Sequence, residues 1–377
     1  MRGLVMIIMA LDHVRDLLHV TSITHSPTDL NTTTAALFFT RWITYLCAPT
    51  FVFLSGAAVY LSIKSRANMT ASRKFLLKRG LWLIVLEFTF VNFGIWFDLK
   101  FEVLLFEVIA AIGFGFIILG LLLPISARVL GLLGLFIILI HNLIPVIAGS
   151  DSSLMIKLVS GLFSPGALPY GEGRLFIIGY PPIPWLAIML VGFGAGHYFT
   201  LDQQKQRSIF LKAGLIAFGS FVVLRIINSY GEPVPWSTQQ TSLFTVLSFL
   251  NVTKYPPSLQ FCLLFLGMML VIIALVQNVR TKWIAIVSVY GKVPLFYFLV
   301  HWYIIHPLVF VMNYLQGFTR SDMLFGTNFG RPKTGGGVEL WQVYLVWAGI
   351  VVFMFPLCKW YGRYKELHKE KRWLRYV

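Results

Sequence analysis

Residues 103–123 read VLLFEVIAAIGFGFIILGLLL, and Glu107 is the only ionisable side chain among them. A helix needs about 20 apolar residues to cross the hydrocarbon core of a bilayer. The run therefore predicts a membrane-spanning helix over Val103–Leu123. Nine other runs have the same character and bring the predicted number of spans to ten: Met1–Leu18, Leu37–Ile63, Leu76–Phe97, Val129–Ala148, Ile183–Phe199, Phe210–Ile227, Leu259–Gln277, Val293–Leu315 and Leu340–Cys358.

The composition of the whole chain agrees with this interpretation. Of its 377 residues, 57% are hydrophobic and 12% are charged, whereas soluble domains carry about 25% charged residues. A soluble domain stops enlarging its apolar core near roughly 250–300 residues, so a water-soluble enzyme is excluded. The sequence predicts an all-α fold, a polytopic bundle of transmembrane helices that forms one domain over residues 1–358 and is followed by a basic tail at 359–377.

The basic residues predict how this bundle is oriented. The chain has 31 Lys and Arg against 15 Asp and Glu, a formal net charge of +16. Such an excess would suggest nucleic acid for a soluble protein, but in a membrane protein Lys and Arg collect in the cytoplasmic loops. Here 21 of the 31 fall on one side of the ten predicted spans, with the largest clusters at 64–79 and 359–375. We therefore predict that both termini are cytoplasmic and that the partner is the lipid bilayer, with no nucleic acid.

The predicted outer loops are long and have a distinctive amino-acid composition. Ala148–Pro182, Asn228–Ser258 and Gln316–Glu339 are rich in Gly, Pro, Tyr and Trp, and Tyr-Pro-Pro occurs at 180–182 and again at 255–257. These features predict re-entrant or capping loops rather than a soluble domain. The three cysteines Cys47, Cys262 and Cys358 lie in apolar runs, which predicts helix packing, and no His or Cys motif predicts a metal.

The densest polar group inside a predicted span is Asp12-His13-Val14-Arg15-Asp16. Polar side chains are costly in hydrocarbon, so this group suggests a functional site. Asp12, Arg15 and Asp16 share one helix face, and Asp16 is also an i+3 neighbour of His13. A carboxylate there would hold the imidazole in one tautomer, as a general base requires. The alternative is an ion pair between Arg15 and an aspartate that only closes the outer helix end.

Other polar residues extend the set of candidates for binding a substrate. Besides Arg15, these are Asp29, Arg41, His141, Asn142, Lys254, Tyr297 and His301, and His25 joins Asp12, His13 and Asp16 as a catalytic candidate. Structural roles stay open for several of them, since an arginine near the membrane surface can extend its charge to water. The motif Gly192-x-Gly194-x-Gly196 has no strand before it, so it predicts close helix packing rather than nucleotide binding.

The opening segment Arg2–Asp16, RGLVMIIMALDHVRD, resembles the start of the heparan-α-glucosaminide N-acetyltransferase-like membrane proteins, most closely their little-characterised bacterial branch. The resemblance continues, in order along most of the chain, through Pro27–Leu30, Thr40–Thr44, Cys47–Pro49, Phe53–Gly56, Leu77–Trp82, Lys254–Ser258 and Val293–Tyr297.

The resemblance implies a transmembrane acyltransferase of the bacterial inner membrane. Acetyl-CoA would be the donor and co-substrate, bound from the cytoplasm, and the acetyl group would pass to an amine or hydroxyl on the far side. Because bacteria need not contain heparan sulfate, we expect a small molecule or a cell-envelope sugar as the acceptor. The wider superfamily opens with Arg-Gly and a functional polar residue about ten positions on, which is His13 here. Animal members look to have Asn there and an active histidine in the following loop, where this sequence offers His25.

The sequence hypothesis is that His13 is the general base, oriented by Asp16 or Asp12. His25 is the competing base or an acyl carrier, and Arg41 and His301 line the channel. The alternative function is a secondary transporter that relays protons through the same buried His and Asp residues; no inverted repeat supports it. The sequence is compatible with an oligomer.

Overall fold

Helices make up most of the molecule, and the computed structural model describes residues 1–66, 68–144 and 154–376. The helices are α1 (Arg2–Leu18), α2 (Ala35–Thr44), α3 (Cys47–Arg66), α4 (Met69–Leu86), α5 (Asn92–Trp96), α6 (Val108–Leu122), α7 (Ala127–Ile140), α8 (Leu154–Phe163), α9 (Pro182–Ala195), α10 (Gln203–Ile227), α11 (Ser242–Leu250), α12 (Leu259–Val276), α13 (Lys282–Lys292), α14 (Pro294–Leu315) and α15 (Leu340–Leu367). A π-helical turn, Glu87–Val91, joins α4 to α5. The strands are β1 (Val103–Phe106), β2 (Gly166–Gly171) and β3 (Arg174–Ile178).

Six helical segments of the described chain are long and apolar enough to cross a membrane: Ala35–Ser65, Pro182–Thr200, Gln203–Ile227, Leu259–Val276, Pro294–Leu315 and Leu340–Leu367. Val108–Leu122 and Ala127–Leu143 are shorter apolar helices. A mostly helical protein with several membrane-spanning helices is thereby confirmed, while the number ten and the side of the termini stay predictions. The last residues of the predicted span Val129–Ala148, and the first of the outer segment Ala148–Pro182, lie outside the described residues.

The run over residues 103–123 is not one helix, and the all-α prediction is wrong at this point. Val103–Phe106 forms β1, which pairs in parallel with β3, while β2 and β3 form an antiparallel hairpin. Asn92 holds the other edge of β1, because its Oδ1 accepts from the Leu105 N–H (2.6 Å) and its Nδ2 donates to the Leu105 carbonyl (3.0 Å). Part of the outer segment Ala148–Pro182 is therefore sheet rather than loop.

The predicted span Leu37–Ile63 consists of two helices, since two residues, 45 and 46, separate the end of α2 from the start of α3. Pro49 has no N–H to bond with the carbonyl of Tyr45, so the helical ladder is interrupted there. The break leaves Arg41 and Thr44 in the last turn of α2, where both contact α1. At the other end of the chain α15 runs without a break to Leu367, so the predicted boundary at residue 358 lies inside a helix.

Glycines set how closely the inner helices approach. A Cβ atom at Gly192 of α9 would lie 2.0 Å from the carbonyl oxygen of Phe53 in α3, and one at Gly56 would lie 2.0 Å from that of Met189. A Cβ at Gly194 would lie 2.7 Å from the Cα of Gly131 in α7. The glycine motif of α9 is thus a packing motif, as the sequence predicted.

Replacing Gly192 with Val is expected to destabilise the protein, because the added side chain pushes against the backbone of α3. Overpacking of this kind costs roughly 1–3 kcal/mol. The measurement is the melting temperature of the purified protein in detergent. Gly219→Val is the matched control, since a Cβ at Gly219 meets nothing within 4 Å. An equal effect of both changes would contradict the packing role.

Candidate active site

A cavity of about 120 Å³ lies where α1, the α2–α3 break, the start of α6 and the middle of α14 come together. Its polar and aromatic lining includes Asp12, His13, Asp16, Arg41, Thr44, Trp96, Glu107, Tyr180, Lys254, Tyr255 and Trp302. Elements far apart in the chain therefore bring Asp12, His13 and Asp16 together with residues of the predicted outer loops.

Asp12 is the centre of a buried ion cluster. Arg41 Nη1 donates to both of its carboxylate oxygens (2.7 and 2.6 Å), and the Thr44 hydroxyl donates to Oδ1 at 2.8 Å. Arg15 Nη2 lies 2.8 Å from the same Oδ1 and also pairs with Asp16. Asp12 is thus fully engaged as a counter-ion, and the cluster of two arginines and two aspartates is neutral overall.

His13 is paired with a histidine of α14. Its Nδ1 lies 2.6 Å from Nε2 of His301, and its ring stacks on Trp302 with 4.0 Å between the ring centroids. The expected orientation of His13 by Asp16 or Asp12 is therefore not what the structure contains, because both carboxylates are taken up by arginines. Across the described chain, the hydrogen-bonding partner of the His13 ring is His301.

Lys254 sits in a cage of tyrosines. Its Nζ lies 4.9, 5.5 and 5.8 Å from the ring centroids of Tyr255, Tyr45 and Tyr180, distances at which an ammonium is attracted to an aromatic face. Burial tends to lower the pKa of Lys254, but Tyr255 and Asp12 outweigh it and the pKa lies above its ordinary value. Lys254 is therefore a charged ammonium at a cavity wall.

The loop between α11 and α12, which carries Lys254, is held on both sides. Arg225, which is 1% exposed, donates to the main-chain oxygens of residues 248, 249 and 251 at 2.8–2.9 Å. The Glu232 carboxylate accepts from the Thr253 N–H (3.0 Å) and from the Ser258 hydroxyl (2.6 Å). These contacts fix the backbone on either side of Lys254 and so aim its side chain at the cavity.

Two glutamates mark the point where the predicted fourth span turns from strand to helix. Glu107 precedes α6 and lines the cavity, and its Oε2 is buried without a hydrogen-bonding partner in the described part of the chain. Glu87, in the π-helical turn, accepts from the Ala110 N–H at 2.8 Å and so satisfies a free donor at the start of α6. Glu87 thereby has a structural role, while Glu107 faces the site.

The loop between α1 and α2 keeps its candidates away from the cavity. His25 is exposed, and its Nδ1 lies 2.8 Å from the hydroxyl of Thr24. Asp29 accepts from the backbone N–H of Asn31 (3.0 Å) and from the Thr32 hydroxyl (3.1 Å), and these bonds lower the pKa of Asp29. Neither residue lines the central cavity.

His301 does not line the central cavity as predicted, and three further candidates also lie outside its wall. Nδ1 of His141 faces carbonyl oxygens of its own helix at 3.1 Å, and Asn142 Oδ1 accepts from the Leu259 N–H at 3.1 Å. Tyr297 stacks on His301 with 5.6 Å between centroids, so these two residues share a helix face as predicted. The structure supports packing roles for all three.

The aromatic part of the site was not predicted. Tyr45, Tyr180 and Trp302 were not among the candidates, yet they surround Lys254 and His13. The hydroxyl of Tyr255 donates to that of Tyr180 (3.4 Å), which joins the two Tyr-Pro-Pro motifs. The repetition of this motif in two outer loops was the available signal.

Two further cavities continue from the central one toward the N-terminal end of α1. The first, which we call the neck, measures about 120 Å³ and shares Met9, Phe51, Val108 and Phe298 with the central cavity. The second, the inner mouth, measures about 350 Å³ and shares Phe51, Ser55, Arg79, Phe116 and Pro294 with the neck. Arg2 also lines the inner mouth.

On the opposite side, an outer vestibule of about 360 Å³ shares Asp16, Arg41, Lys254 and Tyr255 with the central cavity. Adjoining cavities therefore extend from His13 in both directions along the bundle. In residues 1–66, 68–144 and 154–376, no group of three or more His, Cys, Asp or Glu side chains could hold a metal ion.

A family model described as heparan-alpha-glucosaminide N-acetyltransferase, catalytic, matches residues 1–226. This is more than half of the chain, and it includes His13, Arg41 and Glu107. The chain belongs to this family. Membership in the heparan-alpha-glucosaminide N-acetyltransferase family implies a multi-pass membrane acyltransferase, and the transporter alternative is not favoured. No curated protein and no solved structure matches the chain. Lys254 and His301 lie beyond the matched residues.

Proposed function

We propose that the protein transfers an acetyl group from acetyl-CoA to an amine or hydroxyl of a cell-envelope sugar or related small molecule. Acetyl-CoA is the donor that the family uses in general. The donor would enter from the inner mouth, on the side predicted to be cytoplasmic, and the acceptor from the outer vestibule. The observation that carries the proposal is the series of adjoining cavities on both sides of His13.

The inner cavities suit the two parts of CoA. Arg2 and Arg79 line the inner mouth, where positive charge attracts the phosphates of the nucleotide. The neck is lined mostly by apolar side chains, and its position between the inner mouth and the central cavity suits the long pantetheine arm that carries the thioester. His13 lies 11 residues beyond Arg2 on α1, a distance of about 17 Å along the helix axis. The thioester would thus be presented at the central cavity.

The central cavity supplies the groups that acyl transfer needs. The acceptor nitrogen or oxygen bonds to the thioester carbonyl carbon while His13 Nε2 takes its proton. The Lys254 ammonium stabilises the oxyanion that forms. The carbon–sulfur bond then breaks, the proton on His13 passes to the thiolate, and CoA leaves as the free thiol. His13 returns to its neutral form, and no covalent intermediate on the protein is required.

His25, the competing base or acyl carrier, is exposed and lines neither the central cavity nor the outer vestibule. This supports His13 as the base.

Acetyl-CoA is expected to raise the melting temperature of the purified protein in nanodiscs, and Ser55→Phe is expected to abolish that rise. Ser55 lines both the inner mouth and the neck, so a phenyl ring there obstructs the donor path. Ligand stabilisation grows with concentration by mass action, so a titration measures the loss. Ser220→Phe on α10, which lines none of these four cavities, is the matched control. Unchanged stabilisation of the Ser55 variant would contradict the proposed donor path.

A further inference from the structure

A general base needs a free lone pair, and the pairing of His13 with His301 decides which ring nitrogen carries it. His301 lies on α14, opposite α1, and is fully buried. Its Nε2 faces His13 Nδ1 at 2.6 Å, and its own Nδ1 lies 3.0 Å from the carbonyl oxygen of Tyr297. A neutral imidazole has one N–H donor and one acceptor nitrogen.

The Tyr297 carbonyl determines the protonation of both rings. A carbonyl oxygen only accepts hydrogen bonds, so Nδ1 of His301 carries its proton. Nε2 of His301 is then the acceptor, and Nδ1 of His13 must be the donor in the bond between the rings. The lone pair of His13 therefore resides on Nε2, which has no hydrogen-bonding partner among the described residues.

We propose that His301 is a positioning residue that fixes His13 as the Nδ1–H tautomer and then shares the positive charge when Nε2 takes the acceptor proton. This inference rests on the proposed function. The stack of His13 on Trp302, 4.0 Å between centroids and 19° between the ring planes, holds the ring in the orientation that the hydrogen bond requires.

A neutral partner suits the second half of the reaction. A carboxylate hydrogen-bonded to His13 would hold the imidazolium strongly, because charge-assisted bonds are about twice as strong as neutral ones. Asp12 and Asp16 are instead bound to Arg15 and Arg41. His301 thus orients the base yet leaves it able to return its proton to the departing thiolate.

The test compares two substitutions with opposite expectations. His301→Phe keeps an aromatic ring but removes the acceptor, and we expect kcat to fall about tenfold, the rate equivalent of one neutral hydrogen bond. His301→Gln places an amide oxygen where it can accept from His13, and we expect it to restore most of kcat. The assay measures CoA release with acetyl-CoA and glucosamine as the probe acceptor. KM for acetyl-CoA is expected to stay unchanged in both variants.

Equal kcat for the Phe and Gln variants, or a rise in KM at constant kcat, would overturn the positioning role. Nitrogen NMR of the wild-type protein with ¹⁵N-labelled histidine needs no variant of His301. The signal that disappears in the His13→Ala variant belongs to His13. We expect it to report the Nδ1–H tautomer, and the Nε2–H tautomer would also overturn the positioning role. If the wild-type protein did not transfer the acetyl group, the proposed function would fail, and if His13→Ala kept full activity, the assignment of the base would fail. A fully active His301→Phe beside an inactive His13→Ala would remove this inference alone.

Discussion

Replacing His13 with Ala is expected to lower the rate of acetyl transfer by roughly 10²–10⁴-fold, the usual contribution of a general base. The acceptor proton then loses the imidazole base, and Asp12 cannot replace it because it is engaged by Arg15, Arg41 and Thr44. Binding of acetyl-CoA is expected to persist, because the inner mouth and the neck do not include His13. The measurement is CoA release by the purified protein with glucosamine as the probe acceptor, alongside the melting temperature with and without acetyl-CoA.

His25→Ala is the matched control for this experiment, since it removes the competing histidine from an exposed loop. It is expected to leave the rate close to that of the wild type. Full activity of the His13 variant would refute the assignment of the base. Loss of transfer in the His25 variant alone would move the base, or the acyl carrier, to the outer loop.

Asp12→Asn is expected to produce the largest loss of stability. The change leaves two buried guanidinium groups facing an uncharged amide, and among the ion pairs of the described residues those with Asp16 remain. Removing one partner of a buried ion pair costs about 3–5 kcal/mol. The expected result is a marked fall in melting temperature and in the yield of monodisperse protein in detergent.

Asp16→Asn is the matched control, which shows whether the loss of stability depends on the burial of the aspartate. The Asp16 side chain is 41% exposed, so solvent screens its ion pairs and their loss costs at most about 1 kcal/mol. If both aspartate variants lost the same stability, the central place of Asp12 in the ion cluster would be refuted.

Hydropathy predicts the helices well because it depends on a local property of the chain. It fails at Val103–Phe106, where apolar residues form a strand held by β3 and by the side chain of Asn92. A short apolar run is equally consistent with a strand or a helix. Its partners lie elsewhere in the sequence, so no local pattern distinguishes the two.

The site was also predicted only in part, because some of its residues meet partners that are distant in the sequence. The spacing of Asp12, Arg15 and Asp16 predicted that they share one helix face, because i, i+3 and i+4 neighbours meet there. The structure contains the ion pairs that were the alternative to an aspartate orienting His13. The partner of His13 is 288 residues away on another helix, and helical periodicity carries no information about such a pair. Lys254 was identified through resemblance alone, and its tyrosine cage only through the structure.

The apolar lining of the neck also matters for the ion gradient across the membrane. A protein with cavities opening toward both faces risks discharging the ion gradient on which the cell depends. The neck is lined by Met6, Leu83, Ile109, Ile112 and other apolar side chains, and hydrophobic constrictions of this kind exclude water and so block ions. Arg79 lines the neck where it adjoins the inner mouth, and Asp12 and Arg41 of the ion cluster line the adjoining central cavity. The segment that we propose for the pantetheine arm would therefore also block the passage of ions.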